Sequence, residues 1–123
     1  MSKRAVLALA SPAHEALLGK ALVSQGVAVA TVPASAHLET EVMRAARADR
    51  ESPLLVVDLA VLAQLGAAMP GFCAWKAAQC PAARLVLTSD DLAAVGPADR
   101  AWARRHGALD LVFLILPLLS DAV

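Results

Sequence analysis

The chain has 123 residues, the length of one domain, and its 11 basic residues are balanced by 11 acidic ones. Hydrophobic residues make up 59% of the sequence, yet no apolar stretch reaches the ~20 residues that a membrane-spanning helix needs. Because the net charge is zero, the composition gives no indication of nucleic-acid binding, and we expect this chain to contact nucleic acid only through an attached domain. We therefore expect a single domain over residues 1–123, excised from a longer cytoplasmic protein and without membrane contact.

Five short apolar runs of strand length follow one another along the chain. They comprise residues 4–10, 27–32, 53–59, 83–89 and 109–116. The third run, PLLVVDL, is almost unbroken in its apolar character, which is typical of a central parallel strand covered on both faces. A single carboxylate, Asp58, stands near the end of this run.

Stretches with helical periodicity separate the apolar runs. The first helix is predicted to begin after Ser11, which caps it with Pro12 in the first turn, and to end at Gly26. Its predicted apolar face comprises Leu17, Leu18, Ala21 and Leu22. Three further helices are predicted: one capped by Ser35 with Leu38, Val42 and Ala45 inward, one carrying Phe72, Trp75 and Ala78, and one over residues 97–106.

The alternation of strands and helices with short connections predicts an α/β fold with a parallel sheet and helices on both faces. At this length we expect a doubly wound, five-stranded sheet with the strand order 2-1-3-4-5. Only seven residues follow the fifth run, so the last helix is expected to be truncated or missing. Such sheets bind ligands beyond the carboxyl ends of their strands, and Asp58 is predicted to lie there.

Several other polar and sulfur-containing residues have ordinary structural explanations. Cys73 and Cys80 are about two helical turns apart, too far for a disulfide within one helix, and are expected to be buried free thiols. The dipeptide Asp90–Asp91 could help to bind a cation but is expected to cap a helix or to lie in a solvated loop. The histidines show no paired ligand spacing and are expected at the surface or at helix ends; they are His14, His37 and His106.

The sequence resembles the receiver domain of the two-component response regulators, which has a flavodoxin-like (CheY-like) fold. The resemblance covers nearly the whole chain and depends on three segments that occur in the family's order. SPLLVVDLAVL is similar to the family's third strand with its phospho-accepting aspartate, which would be Asp58. RLVLTSDD is similar to the fourth strand with its switch hydroxyl, which would be Thr88. WARRHGALDLVFL is similar to the last helix, turn and strand, and residues 69–71 are similar to a Met-Pro loop, several residues later than in the family.

The chain departs from the family at two places that the resemblance marks as essential. The family has acidic residues after the first strand that hold Mg²⁺, but here that place reads ALASPAH, with no carboxylate before Glu15. The family's lysine at the end of the fifth strand is replaced by Leu114 or Leu116, and Pro117 follows about two residues late. The nearly two negative charges of a phosphoryl group on Asp58 would then lie among Leu and Val, at considerable cost.

These departures predict a pseudo-receiver that is not an enzyme and uses no metal or cofactor. It would act through protein–protein contact and dimerisation and would regulate an attached output domain in bacterial two-component-type signalling, while Asp58 bonds backbone amides or Thr88. Two alternatives stay open. The chain could be a functional receiver phosphorylated on Asp58 by a histidine kinase, or a small flavodoxin-like domain that binds a nucleotide or another ligand.

The resemblance also indicates a candidate interface, because the face formed by the last two helices and the fifth strand of receivers often makes dimers or meets partners. The residues expected there are Trp102, Arg100, Arg104, Arg105 and Phe113. The partner would be a second copy of the chain or another domain of the parent protein. The alternative is that the arginines form a solvated helix face and that Trp102 packs in the core.

Overall fold

The computed structural model describes residues 3–32, 38–48, 53–64 and 69–113. The strands are Lys3–Ala8 (β1), Val27–Thr31 (β2), Leu54–Asp58 (β3), Arg84–Ser89 (β4) and Asp110–Phe113 (β5). The α-helices are Pro12–Ser24 (α1), Leu38–Ala48 (α2), Leu59–Gln64 (α3), Met69–Gln79 (α4) and Pro97–Arg105 (α5), and a 3₁₀ turn lies at Leu92–Ala94.

The strands form one parallel sheet in the order β2-β1-β3-β4-β5, which confirms the predicted doubly wound α/β architecture. The register places Ala8 of β1 beside Val57 of β3, and Asp58 beside Thr88 of β4. The carboxyl ends of these three central strands therefore lie side by side, close to the switch in strand order. We call the side of the sheet where the strands end its carboxyl edge.

Side chains alternate between the two faces of the sheet along each strand, so each face carries an apolar cluster. The two clusters differ in size. The larger cluster is covered by α2, α3, α4 and α5, and its fully buried leucines include Leu55, Leu62, Leu85 and Leu87. Burial of each such side chain contributes about 1.5–3 kcal/mol. The smaller cluster is covered by α1, and its buried members are Leu7, Leu9 and Val56.

The ends of α1 follow the sequence signals. Ser11 is the N-cap, and its Oγ accepts a hydrogen bond of 3.3 Å from the backbone N–H of His14. Gly26 follows the helix with a φ of +81°, a left-handed conformation that glycine adopts without steric cost.

The face that α1 presents to the sheet differs from the predicted one. Leu18 and Leu22 pack against the smaller cluster, whereas Leu17 and Ala21 are exposed. His14 lies one turn before Leu18 on the same face and is only 9% exposed. His14 does lie at a helix end, in the first turn of α1, but the prediction of a surface position is wrong, because the four-residue spacing continues the inward stripe onto the histidine.

The weakly patterned stretch after β3 contains α3, a helix that the sequence did not predict. It follows β3 without a loop, so that Asp58 ends the strand and immediately precedes the helix. Residues 69–71, compared above with a Met-Pro loop, form the first turn of α4 instead. Cys73 on α4 and Cys80 just after it are both buried and free, as predicted.

Some predicted features fall outside the described residues and are not assessed by the structure. They are the cap Ser35, His37, Leu114, Leu116, Pro117 and the place of the last helix. Among the described residues, no helix has the length and apolar character that crossing a membrane would require.

Candidate functional site

Asp58 lies at the carboxyl end of β3 and is only 5% exposed. The apolar run before it forms the centre of the sheet, which carries the carboxylate to the edge where the central strands end. Its Oδ1 atom accepts a hydrogen bond of 2.8 Å from the backbone N–H of Ala60. This bond satisfies one of the free N–H groups in the first turn of α3, so the carboxylate acts as a helix cap.

Thr88 supplies the second partner of this carboxylate. It lies directly beside Asp58 in the register of β3 and β4, and its Oγ1 donates a hydrogen bond of 3.1 Å to Oδ2 of Asp58. Thr88 is 1% exposed, so the bond is shielded from water. Both oxygens of the buried carboxylate therefore already accept hydrogen bonds from the chain itself.

The end of β1 contributes apolar side chains to this edge of the sheet. Ala8 and Leu9 are buried, and Ala10 is exposed. The next acidic residue along the chain is Glu15 on α1, where burial raises the pKa of the carboxyl group and its Oε2 has no hydrogen-bond partner. The part of the chain that the structure describes contains no group of three or more His, Cys, Asp or Glu residues that could hold a metal ion.

Among the described residues, those at this edge therefore do not fit a Mg²⁺ ion. Mg²⁺ requires a near-octahedral set of oxygen ligands that usually includes one or two carboxylates. Asp58 is the carboxylate at the end of β3, its oxygens are engaged by Thr88 and Ala60, and the neighbouring end of β1 carries carbon side chains.

The acidic residues after β4 are engaged in a local turn. The Oγ of Ser89 accepts a hydrogen bond of 3.1 Å from the backbone N–H of Asp91. The Oδ1 of Asp91 accepts one of 3.0 Å from the N–H of Ala93, which caps the 3₁₀ turn. Asp90 is exposed. The capping position expected for this dipeptide is thus the one that Asp91 occupies.

Two of the three arginines of α5, Arg100 and Arg104, bind Asp110 of β5. Arg100 binds its carboxylate through two bonds, from Nε at 3.0 Å and from Nη2 at 2.7 Å, and Arg104 adds a contact of 3.3 Å. The guanidinium of Arg100 holds the pKa of Asp110 well below its usual range, helped by the backbone N–H of Leu111. The pair joins α5 to β5, a role that the sequence did not predict for Asp110.

Trp102 lies on the side of α5 opposite to Arg100 and Arg104. It is two positions from each of them, and residues two positions apart in an α-helix differ by about 200° around the axis. Trp102 is 39% exposed, and the centroid of its ring lies 5.3 Å from that of His106 in an edge-to-face arrangement. Arg105 is exposed and Phe113 is half-buried. Of the predicted interface residues, Arg100 and Arg104 therefore bind Asp110 of β5, and Trp102 belongs to an exposed aromatic pair with His106.

His14 is a further buried polar residue at the carboxyl edge of the sheet. It lies in the first turn of α1, which begins just beyond β1, and its Nε2 atom is buried without a hydrogen-bond partner. A spacing of four residues from His14 to Leu18 and Leu22 was the signal in the sequence that could have revealed this inward position.

Of three comparisons with known proteins, only the comparison with solved structures found matches to this chain. No protein-family model matches the chain, and no curated protein matches it. Sixteen solved chains do match at a significant level. A response regulator from Thermotoga maritima aligns over 99% of this chain and 94% of its own, with 14% identity and a TM-score of 0.65.

Two further matches show the range of these structures. A response regulator protein from Burkholderia pseudomallei, solved with a phosphorylated aspartic acid, a calcium ion and citrate, has 18% identity and a TM-score of 0.62. The alignment covers 98% of this chain but 66% of that protein, slightly under two thirds of its length. A CheY-like protein (TadZ) from Pseudomonas aeruginosa has 19% identity and a TM-score of 0.59, with 99% of this chain and 91% of that chain covered.

The parallel sheet in the order β2-β1-β3-β4-β5 and its covering helices agree with these structural neighbours at the level of the fold. The chain therefore has the CheY-like fold of the response-regulator receiver domains.

Proposed function

We propose that this chain is a phosphorylation-independent, non-catalytic receiver module of the cytoplasm that works through protein–protein contact. The observation that supports this most strongly is the state of Asp58. Its carboxylate is buried, and both of its oxygens are occupied, by the hydroxyl of Thr88 and the N–H of Ala60. In this proposal the aspartate is a structural residue that joins β3, α3 and β4.

The cost of adding charge at this place favours the same proposal. A phosphoryl group brings about 1.5–2 negative charges at neutral pH. Beside Asp58 the end of β1 presents the buried carbon side chains of Ala8 and Leu9, which neither bind a cation nor donate hydrogen bonds. Phosphoryl transfer depends on positioning and on neutralising charge, so a site whose described neighbours at the end of β1 are carbon side chains is poorly suited to it.

The surface of α5 and β5 supports a role in contact with a partner. The exposed apolar residues near this end of the sheet include Trp102, 39% exposed, and Leu109, 55% exposed. Tryptophan and arginine are enriched at the centres of protein interfaces, and Arg105 is exposed on the same helix. We infer that this surface meets another domain of the parent protein and so regulates an attached output domain in two-component-type signalling.

A second candidate function, a receiver that accepts phosphate on Asp58, is favoured by one observation. The Thr88 hydroxyl lies 3.1 Å from Oδ2 of Asp58, so the two residue types that the family uses are adjacent. The other groups around Asp58 and Thr88 distinguish the two candidate functions. By resemblance to the family, a receiver that accepts phosphate also needs carboxylates that hold a metal ion and a lysine that contacts the phosphoryl group.

Phosphorylation can be tested directly. The protein and its Asp58→Asn variant are incubated with Mg²⁺ and acetyl phosphate, and intact masses are recorded. We expect neither protein to gain the mass of a phosphoryl group. A gain in the wild type that disappears in Asp58→Asn would establish the second candidate instead and would overturn the proposal.

The contact surface has a matched control within the chain. Trp102 and Leu17 are both 39% exposed, but Leu17 lies on α1, away from α5 and β5. The full-length parent protein is prepared with Trp102→Ala or with Leu17→Ala, and domain association is followed by limited proteolysis. We expect Trp102→Ala to expose new cleavage sites between the domains and Leu17→Ala to leave the pattern unchanged. Equal patterns in all three proteins would contradict the assigned surface.

A further inference from the structure

The strand β2 is an outer strand of the sheet and lacks the features that usually prevent an outer strand from pairing with another chain. Within the described residues it pairs only with β1, so one row of its backbone N–H and C=O groups points outward. Its sequence, VAVAT, contains no charged residue and no proline, and none of its side chains is fully buried. Natural edge strands are commonly protected by lysine, proline or a bulge, since a bare edge readily pairs with another strand.

A groove runs beside this edge on the face that α2 covers. Its volume is about 240 Å³, and it is lined by the small side chains of Ala28 and Ala30 on β2, which form its floor, and of Ala45 on α2. The charged residues along it are Arg4, Glu41 and Arg44. The groove exists because α2 packs on β1, through residues such as Val42, and leaves the outer strand partly uncovered.

We propose that a second copy of this chain docks at the β2 edge about a two-fold axis. The two β2 strands would then pair in antiparallel orientation and join both sheets into one sheet of ten strands. With Val29, the middle residue of β2, on the axis, Ala28 of one copy lies opposite Ala30 of the other. A two-fold axis requires a surface that is complementary to itself, and the edge and the groove together meet this requirement.

The distances agree with this arrangement. Neighbouring strands lie about 4.8 Å apart, so three intervals, from β1 through both β2 strands to the second β1, separate the two α2 helices by ~14 Å. Helices that pack directly lie 8–10 Å apart. The two helices would therefore not clash, and long side chains could meet above the alanine floor.

The charge pattern of α2 identifies a second copy as the occupant. On the side of α2 that lines the groove, Glu41 precedes Arg44 by one turn, whereas Glu39 and Arg47 lie on the other side of the helix with Trp75 and Gln79 of α4. An antiparallel copy places Glu41 of each helix opposite Arg44 of the other. Arg44, whose side chain is 71% exposed, binds Glu41 of its own helix at 2.7 Å and still presents free donors to a second carboxylate.

The proposal does not depend on the function of the α5 and β5 surface, because β2 and β5 are the opposite edges of the sheet. A dimer formed through β2 leaves Trp102 exposed for another partner. Failure of one proposal therefore leaves the other to be judged by its own experiment.

Sedimentation equilibrium over a wide range of protein concentrations tests the association. We expect a reversible dimer for the wild type. The double variant Ala28→Glu and Ala30→Glu puts carboxylates opposite each other across the axis and should weaken the dimer at least tenfold. The control Ala28→Ser and Ala30→Ser should keep it within about threefold. Far-UV circular dichroism verifies that the variants are folded.

A mixing experiment separates contacts between copies from contacts within one helix. Arg44→Glu gives a copy with only acidic side chains at these two positions, and Glu41→Arg gives one with only basic side chains. Each variant alone should dissociate at least tenfold more readily than the wild type, while an equimolar mixture should form a heterodimer. Loss of the Glu41–Arg44 pair within one helix could not be restored by mixing, so recovery reports contact between copies.

Three results would each overturn the proposal. The first is a wild-type protein that stays monomeric at every concentration. The second is a dimer that is insensitive to the glutamates at positions 28 and 30. The third is a mixture of the two charge variants that behaves as the sum of its components. A dimer that instead dissociates with Trp102→Ala would place self-association on α5 and β5.

Discussion

The hydrogen bond between Thr88 and Asp58 can be removed almost without changing the shape of the core. Valine has the same branched form as threonine, so Thr88→Val deletes the hydroxyl that donates to Oδ2 and leaves the buried position filled. Oδ1 keeps its bond to the N–H of Ala60, but Oδ2 loses its partner in a place without access to water. The predicted effect is a loss of stability at neutral pH without a change of fold.

The magnitude follows from the charge of the acceptor. Hydrogen bonds to charged groups contribute about 1.5–3 kcal/mol, so we expect Thr88→Val to lower the free energy of unfolding by about 2 kcal/mol. Thr88→Ser keeps the hydroxyl and removes one buried methyl group, which should cost only about 1 kcal/mol. For a domain of this size the larger loss corresponds to a decrease in Tm of roughly 6–10 °C.

Urea denaturation followed by tryptophan fluorescence measures these differences, with Trp75 and Trp102 as probes. The same substitution in an Asp58→Ala background provides the control, because the hydroxyl of Thr88 then has no acceptor at position 58 and its removal should cost little. The reasoning would be refuted if Thr88→Val cost less than about 0.5 kcal/mol, or the same amount in both backgrounds.

Three further predictions concern groups elsewhere in the chain. Arg100 lowers the pKa of the Asp110 carboxyl group in the folded state, so the stabilisation from this ion pair is present above the unfolded pKa of ~3.9 and is lost as the pH falls further. Asp110→Asn should therefore lower the free energy of unfolding at pH 7 and flatten the acid side of the profile of stability against pH. Equal profiles for the variant and the wild type would contradict this. His14→Leu removes the unpartnered buried Nε2 and should raise the free energy of unfolding by about 1 kcal/mol, whereas a loss measured in urea would show that the imidazole is satisfied. Burial raises the pKa of Cys73 and Cys80, so both thiols should react with a disulfide reagent only on unfolding, and rapid reaction of the native protein would disprove this.

Most of the architecture could be predicted from the sequence, because it depends on local patterns. The unbroken apolar run before Asp58 indicated a central parallel strand, and Ser11 and Gly26 marked the ends of α1. The strand order followed from chain length and from the handedness of the crossovers. The alternation of helices and strands was sufficient for these conclusions, since period and punctuation are properties of neighbouring residues.

Other features could be seen only in three dimensions. The cap that Asp58 provides for α3 and the ion pair between Arg100 and Asp110 each depend on groups that neither propensity nor apolar period identifies. Polar side chains choose their partners by geometry across the fold, and a hydrogen bond gives no periodic signal in the sequence.

The sequence by itself determined that a lone aspartate ends the central strand and that carboxylates are missing after the first one. Only the tertiary structure decided what surrounds that aspartate, because the register of β3 and β4 sets the Thr88 hydroxyl against one oxygen, and the start of α3 sets an N–H against the other. Distance along the chain, 30 residues in the case of Asp58 and Thr88, says nothing about such a contact until the strands are paired.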